Sequence, residues 1–130
     1  MGNKIVQPEG WAPAKGYANG ILTEGKTLYI GGQIGWNSEK IFEEKDFIGQ
    51  MEQVLKNIKE IIEAAGGRVE NIVRLTWFII DKGDYMANQS ADGAAYRRVF
   101  GRHFPAMSVV VVKELIEDEA LIEIEATAEL

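Results

Sequence analysis

"DFIGQMEQVLKNIKEIIEAAGGRVENIVRLTWFII", residues 46–80, changes its periodicity once, and the fold follows from that change. Phe47, Met51, Val54, Leu55, Ile58, Ile61, Ile62 and Ala65 recur at spacings of three and four. That pattern predicts an amphipathic helix of about five turns. Asp46 is placed to cap its start and Gly66-Gly67 to stop it, while Gly49 is a mild local cost. Beyond the glycines the period falls to two. Val73, Leu75, Trp77 and Ile79 share one parity; Arg74, Thr76, Phe78 and Ile80 share the other. Both sets are rich in β-formers, which predicts a central strand.

Towards the N-terminus, "YANGILT" and "TLYIGGQIGW" flank "EGK", a Gly-bearing turn, and read as a hairpin. Gly31, Gly32 and Gly35 lie on or just past its second strand, where glycine marks a bulge or a close approach of backbone or ligand. "GGQIG" lacks the lysine and the spacing of a phosphate loop. Residues 1–16, with Pro8, Gly10, Pro13 and Gly16, read as an irregular arm anchored by Trp11. Towards the C-terminus, "DKGD" reads as a turn. "SADGAAYRRVFGRHF" reads as a second helix with Tyr96, Val99 and Phe100 on one side, ended by Pro105. Strands at 107–113 and 120–128 close the chain, read as a second hairpin.

The predicted order is β-β-α-β-α-β-β: an α+β fold with a mixed or antiparallel sheet and two helices on one face. Val109 to Val112 is apolar throughout, and the 73–80 strand ends apolar on both parities. A sheet this apolar on its open face is expected to bury it against further copies, giving a homo-oligomer with a barrel-like centre. In the last strand Glu123 and Glu125 share the face opposite Ile122, Ile124, Ala126 and Ala128, and so lie near that interface.

Composition narrows the function. The 130 residues suit one domain spanning 1–130; hydrophobic residues make up 46% and charged residues 26%, as in a folded globular protein. With no cysteine, thiolate catalysis and cysteine-based metal sites are excluded, and one histidine makes a metal site improbable. His103, near a helix end, is read as complementing that end's charge rather than as a base. The net charge of −6 opposes nucleic acid; Arg97, Arg98 and Arg102, the densest basic cluster, read as a solvated helix face. "MGNKIVQPEG" has no apolar run and no segment approaches a membrane span, so a cytoplasmic protein that does not enter membranes is expected.

Six segments in order, "KGYANG", "LYIGGQIGW", "QVLKNIKEIIEAAGG", "NIVRLTWFIID", "FPAMS" and "LIEIEATAEL", resemble the RidA/YjgF family over nearly the whole chain. The resemblance implies a chorismate-mutase-like fold, homotrimers, three small-molecule pockets at subunit interfaces, no cofactor, and hydrolytic deamination of reactive enamines and imines. In deaminating members an arginine after "F-P-A" clamps the substrate carboxylate as a bidentate fork. Met107 stands at that place here.

The resemblance carries over unevenly. Tyr17 matches a pocket tyrosine and Glu123 the carboxylate that positions or activates water; these form the candidate catalytic pair. Gly31 stands where many members have serine, Gly32 matches a pocket glycine, Gly93 replaces an asparagine, and Val109 stands where some have cysteine. Gly31 and Gly32 also have backbone N–H groups to offer an oxygen. With Met107, Trp36 and Trp77, the residues Gly31, Gly32 and Val109 make up the candidate ligand-binding set. Trp11 and Trp36 are features of a family subset, and Trp36 suits an apolar pocket wall. Lys15 and Arg74 are the candidates to replace the missing cation.

Three functions follow. The first is a deaminase whose substrate is less anionic than an amino-acid imine. The second is a non-catalytic small-molecule-binding trimer with an apolar pocket. The third is a ribonuclease, against which the acidic chain and the lack of a histidine pair weigh.

Overall fold

The computed structural model describes residues 4–15 and 17–130. Strand β1 spans Lys4–Val6, β2 Gly20–Leu22 and β3 Thr27–Ile34; helix α1 spans Phe47–Ala64. A 3-10 turn, Val69–Asn71, leads into β4, Ile72–Ile79. The short α2, Lys82–Met86, and α3, Gln89–Phe100, follow, then β5, Ala106–Val111, and β6, Ile122–Glu129. The six strands form one sheet in the order β1-β2-β3-β6-β4-β5, with only β4 and β5 parallel.

The period change at 46–80 is realised as α1 and β4. Asp46 accepts from the Gly49 amide at 2.9 Å, satisfying a donor the first turn leaves open. Glycine at 49 suits this cap, because a Cβ there would stand 2.6 Å from the capping Oδ1. Gly66 takes φ +86° and lets the chain leave the helix. The buried α1 residues Met51, Val54, Leu55, Ile58, Ile61 and Ile62 pack with Leu75, Trp77 and Ile79 of β4 and with Ile122, Ile124 and Ala126 of β6.

Four expectations need correction. Part of the N-terminal arm is β1, paired with β2, so the arm extends the sheet. "DKGD" leads into α2, whose start Asp81 caps through the Gly83 amide. Gly101, at φ +65°, ends α3, four residues before Pro105. Most consequentially, β5 and β6 are not a hairpin. β6 crosses to lie antiparallel between β3 and β4, and β5 becomes an edge strand parallel to β4.

The pairing decides which side chains share a face. Leu75 is in register with Met107 and Trp77 with Val109, so both β5 residues face the helices. Thr76 is in register with Glu125 and Phe78 with Glu123 on the open face. That face is mixed rather than apolar: it carries Tyr29, Arg74, Thr76, Phe78, Ser108, Val110, Glu123, Glu125 and Thr127. No helix among the described residues is long and apolar enough to cross a membrane.

Candidate functional site

The sheet divides the sequence-predicted residues into two groups. On the helix side, α2, α3 and the start of β5 enclose a cleft of about 270 Å³. It is lined by Trp77 of β4, Tyr85 of α2, Asp92, Gly93 and Tyr96 of α3, Phe104 from the connection to β5, and Met107 of β5. The Trp77 and Tyr85 rings meet edge to face, 6.1 Å apart at 83°. Phe104 stacks on Tyr96 at 5.6 Å. Tyr96 is fixed by donating to the His103 carbonyl at 2.6 Å, and burial pushes its phenol up to about 12, so it stays neutral.

His103 makes a structural contact from the α3–β5 connection. Its Nε2 lies 2.8 Å from the Ile72 carbonyl and ties the α3–β5 connection to the start of β4. Val109 packs beside the core in register with Trp77 but does not line the cleft.

Neither proposed substitute for the missing cation reaches this cleft. Arg74 lies on the opposite parity of β4 and lines an open-face depression with Tyr29, Gly31, Glu125 and Thr127; Lys15 lines neither cavity. The cation beside the cleft is Arg97: a Cβ on Gly93 would stand 3.2 Å from its Nη1. Sequence reasoning also missed Asp92, which is only 7% exposed. Neither of its carboxyl oxygens has a partner among the described residues, and burial raises its pKa above the ordinary aspartate value. Its spacing to Tyr96 and Val99, four and seven residues on, was the available signal.

On the open face, the register of β3 slips between Ile30 and Gln33, so Gly31 and Gly32 form a bulge against β6. Gly31 is confined: a Cβ would stand 2.9 Å from the Ala18 carbonyl oxygen. Its N–H donates to the Asn19 carbonyl at 2.9 Å, so it is not free for a ligand, contrary to expectation. Gly32 is exposed and the Glu123 carboxylate lies directly over it; a Cβ would fall on that carboxylate. Glu123 is half-buried. Desolvation, and then repulsion from Glu125, hold its carboxyl above the usual glutamate value.

Tyr17 and Trp36 are joined through Lys40, whose Nζ lies 5.5 Å from the Tyr17 ring centre and 5.7 Å from that of Trp36. Lys40 is itself anchored by donating to the Pro13 carbonyl at 2.9 Å. Trp36 packs on Phe42 at 5.7 Å, and Tyr17 is about half exposed at 49%. No cluster of metal-ligating side chains occurs among the described residues.

Comparison with known proteins agrees with this architecture. The family model described as Endoribonuclease L-PSP matches residues 8–130. A RutC family protein of Pasteurella multocida is 40% identical over 129 residues, covering 96% of each chain. A 2-iminobutanoate/2-iminopropanoate deaminase of Escherichia coli is 36% identical over 130 residues, covering 97% of each. The crystal structure of a Rid-family protein of unknown function from Yersinia pestis superposes with a TM-score of 0.83 at 34% identity, covering 98% of this chain and 99% of that one.

Proposed function

The chain belongs to the RidA/YjgF family, and from that premise we propose that it is a hydrolytic deaminase of small imines or enamines lacking a carboxylate. It would work as a homotrimer with its pockets between subunits. The observation that carries the reading is the contact of Glu123 with Gly32. A carboxylate partly withdrawn from water, with its proton affinity raised, rests on a glycine that leaves room beside it. Such a group suits general base catalysis near neutral pH better than a solvated one. Water adds to the imine carbon while Glu123 takes its proton. Glu123 passes that proton to the nitrogen, then takes the hydroxyl proton of the carbinolamine and delivers it to the nitrogen as the C–N bond breaks, so that ammonia leaves with a carbonyl product. Tyr17, half exposed beside Lys40, would donate to the product oxygen.

The division by the sheet supports assembly. Met107 and Trp77 face the helices, whereas Gly32 and Glu123 lie on the open face, so one chain does not enclose a substrate with both groups. A second copy whose β5 edge meets the Gly32–Glu123 strip would bring them together. That edge carries exposed Met107, Val110 and Val111, as an interface requires of a lone strand.

The substrate follows from Met107. The Escherichia coli relative is named for substrates that bear a carboxylate. Losing a buried bidentate partner costs on the order of 2–5 kcal/mol, and no lysine or arginine lines the cleft here. The test compares ammonia release from 2-iminopropanoate and from the imine of a simple aldehyde, each generated in situ. Acceleration is expected for the second and little for the first, with Met107→Arg reversing the order. A native rate equal to the protein-free rate on both rejects catalysis. It would leave the non-catalytic binding reading, which the apolar lining of the Met107 cleft favours.

A further inference from the structure

The cleft that holds Met107, where the family resemblance leads one to expect an arginine, is lined by an acidic side chain, Asp92. Among the described residues, the buried side-chain polar atoms without a partner are Trp11 Nε1, Trp77 Nε1 and the two Asp92 oxygens. Three of these four belong to residues that line this one cleft. Buried polar groups are ordinarily paired, and an unpaired carboxylate is among the most costly exceptions. A fold that keeps one at 7% exposure, in a cavity rather than in packed core, keeps it for a partner the chain does not supply. Around it stand Trp77, Tyr85, Tyr96 and Phe104, whose ring faces attract cations.

We infer that this cleft binds an organic cation: a protonated amine or iminium on a small apolar body. The nitrogen pairs with Asp92, and the body lies against Trp77, Tyr85, Phe104 and Met107. The inference rests on the reading of this cleft as the ligand pocket and names its substrate class. A carboxylate-free imine is an iminium when protonated, and the protonated form is the one water attacks. The same aspartate would thus select the substrate and hold it in its electrophilic form. Methionine at 107 fits, because an arginine there would set a like charge against the ligand's nitrogen. Arg97 is the competing feature. Its guanidinium packs over Gly93 at the rim and is not bonded to Asp92, so it is positioned to admit an anion if it turns inward.

Three ligands of one shape decide between these: benzylammonium, benzyl alcohol and benzoate, titrated against the full chain by calorimetry. Benzylammonium is expected to bind about tenfold or more tighter than the alcohol, a charge-assisted bond replacing a neutral one, with benzoate weakest. Asp92→Asn should fold, since it removes a buried charge, and should erase the preference for the cation. Met107→Arg should turn it towards benzoate. The inference is overturned if benzoate binds as well as benzylammonium, if Asp92→Asn keeps the preference, or if benzylammonium does not bind at millimolar concentration. Imine hydrolysis without benzylammonium binding would sink this inference alone. Binding without hydrolysis would sink the deaminase alone.

Discussion

α1 and α3 cover the same face of the sheet, and each carries polar side chains into it. On α1, Gln50 is 1% exposed and every polar atom of its side chain is used. Its Nε2 donates to the Glu44 and Glu119 carbonyls at 3.2 and 2.9 Å, and its Oε1 accepts from the Leu121 amide at 2.8 Å. Asn57 donates to the Ile34 and Trp36 carbonyls at 3.1 and 2.8 Å and accepts from Gln53 at 2.8 Å. On α3, Asp92 is also buried, at 7% exposure, and its carboxyl oxygens have no partner among the described residues. The bonded pair fastens α1 to the strand ends and loops that surround Glu123. The unbonded carboxyl belongs to a residue that lines a cavity. Polar burial is structural under one helix and reserved for a ligand under the other.

Breaking the structural half should have the largest effect. Gln50→Ala removes three bonds at once and strands the Leu121 amide inside the protein. A loss of about 2–4 kcal/mol is expected in urea unfolding. A loss below 1 kcal/mol would mean that these bonds only replace ones to water. Breaking the reserved half should act in the opposite direction. Asp92→Leu removes the orphan oxygens and fills part of the cleft, so stability should rise by about 1–3 kcal/mol while benzylammonium binding disappears. A fall in stability would show that Asp92 is a structural residue after all, and the contrast between the helices would be lost.

The sequence displayed the two halves unequally. α1 was legible to within a residue at each end because its signal is local: a 3.6 period, a capping aspartate and a glycine stop. The place of β6 was not. Neighbouring strands pair more often than not, whereas β6 leaves β5 for β3 and β4, a choice set by contacts far apart in the chain. Met107 was found through its register in "FPAMS", yet Arg74, one of the two substitutes named for the lost arginine, is three residues from Trp77 on a strand and so faces the opposite way. Asp92 was missed for a different reason. An acidic residue in a helix's first turn is ordinarily a solvated complement to the helix dipole. Only its alignment with Tyr96 and Val99 placed it inside.

The smallest expected effect lies on the open face, and it tests whether Glu123 has been taken out of water at all. Its folded pKa is raised, so the folded state binds its proton at higher pH than the unfolded chain does. Stability therefore rises as pH falls through that raised value towards the ordinary 4.5, and is lost again as pH climbs. Asp92 and Asp84 contribute with the same sign, since burial raises both. Glu52, lowered by its hydrogen bond to Arg98, acts oppositely and below its ordinary value, so it does not mask this window. Glu123→Gln should flatten the fall in stability just above pH 4.5 without abolishing it. Glu125→Gln should flatten it less, because repulsion from Glu125 is the lesser cause and desolvation the greater. If Glu123→Gln leaves the slope unchanged, the carboxyl is solvated, and its contact with Gly32 supplies no base for deamination.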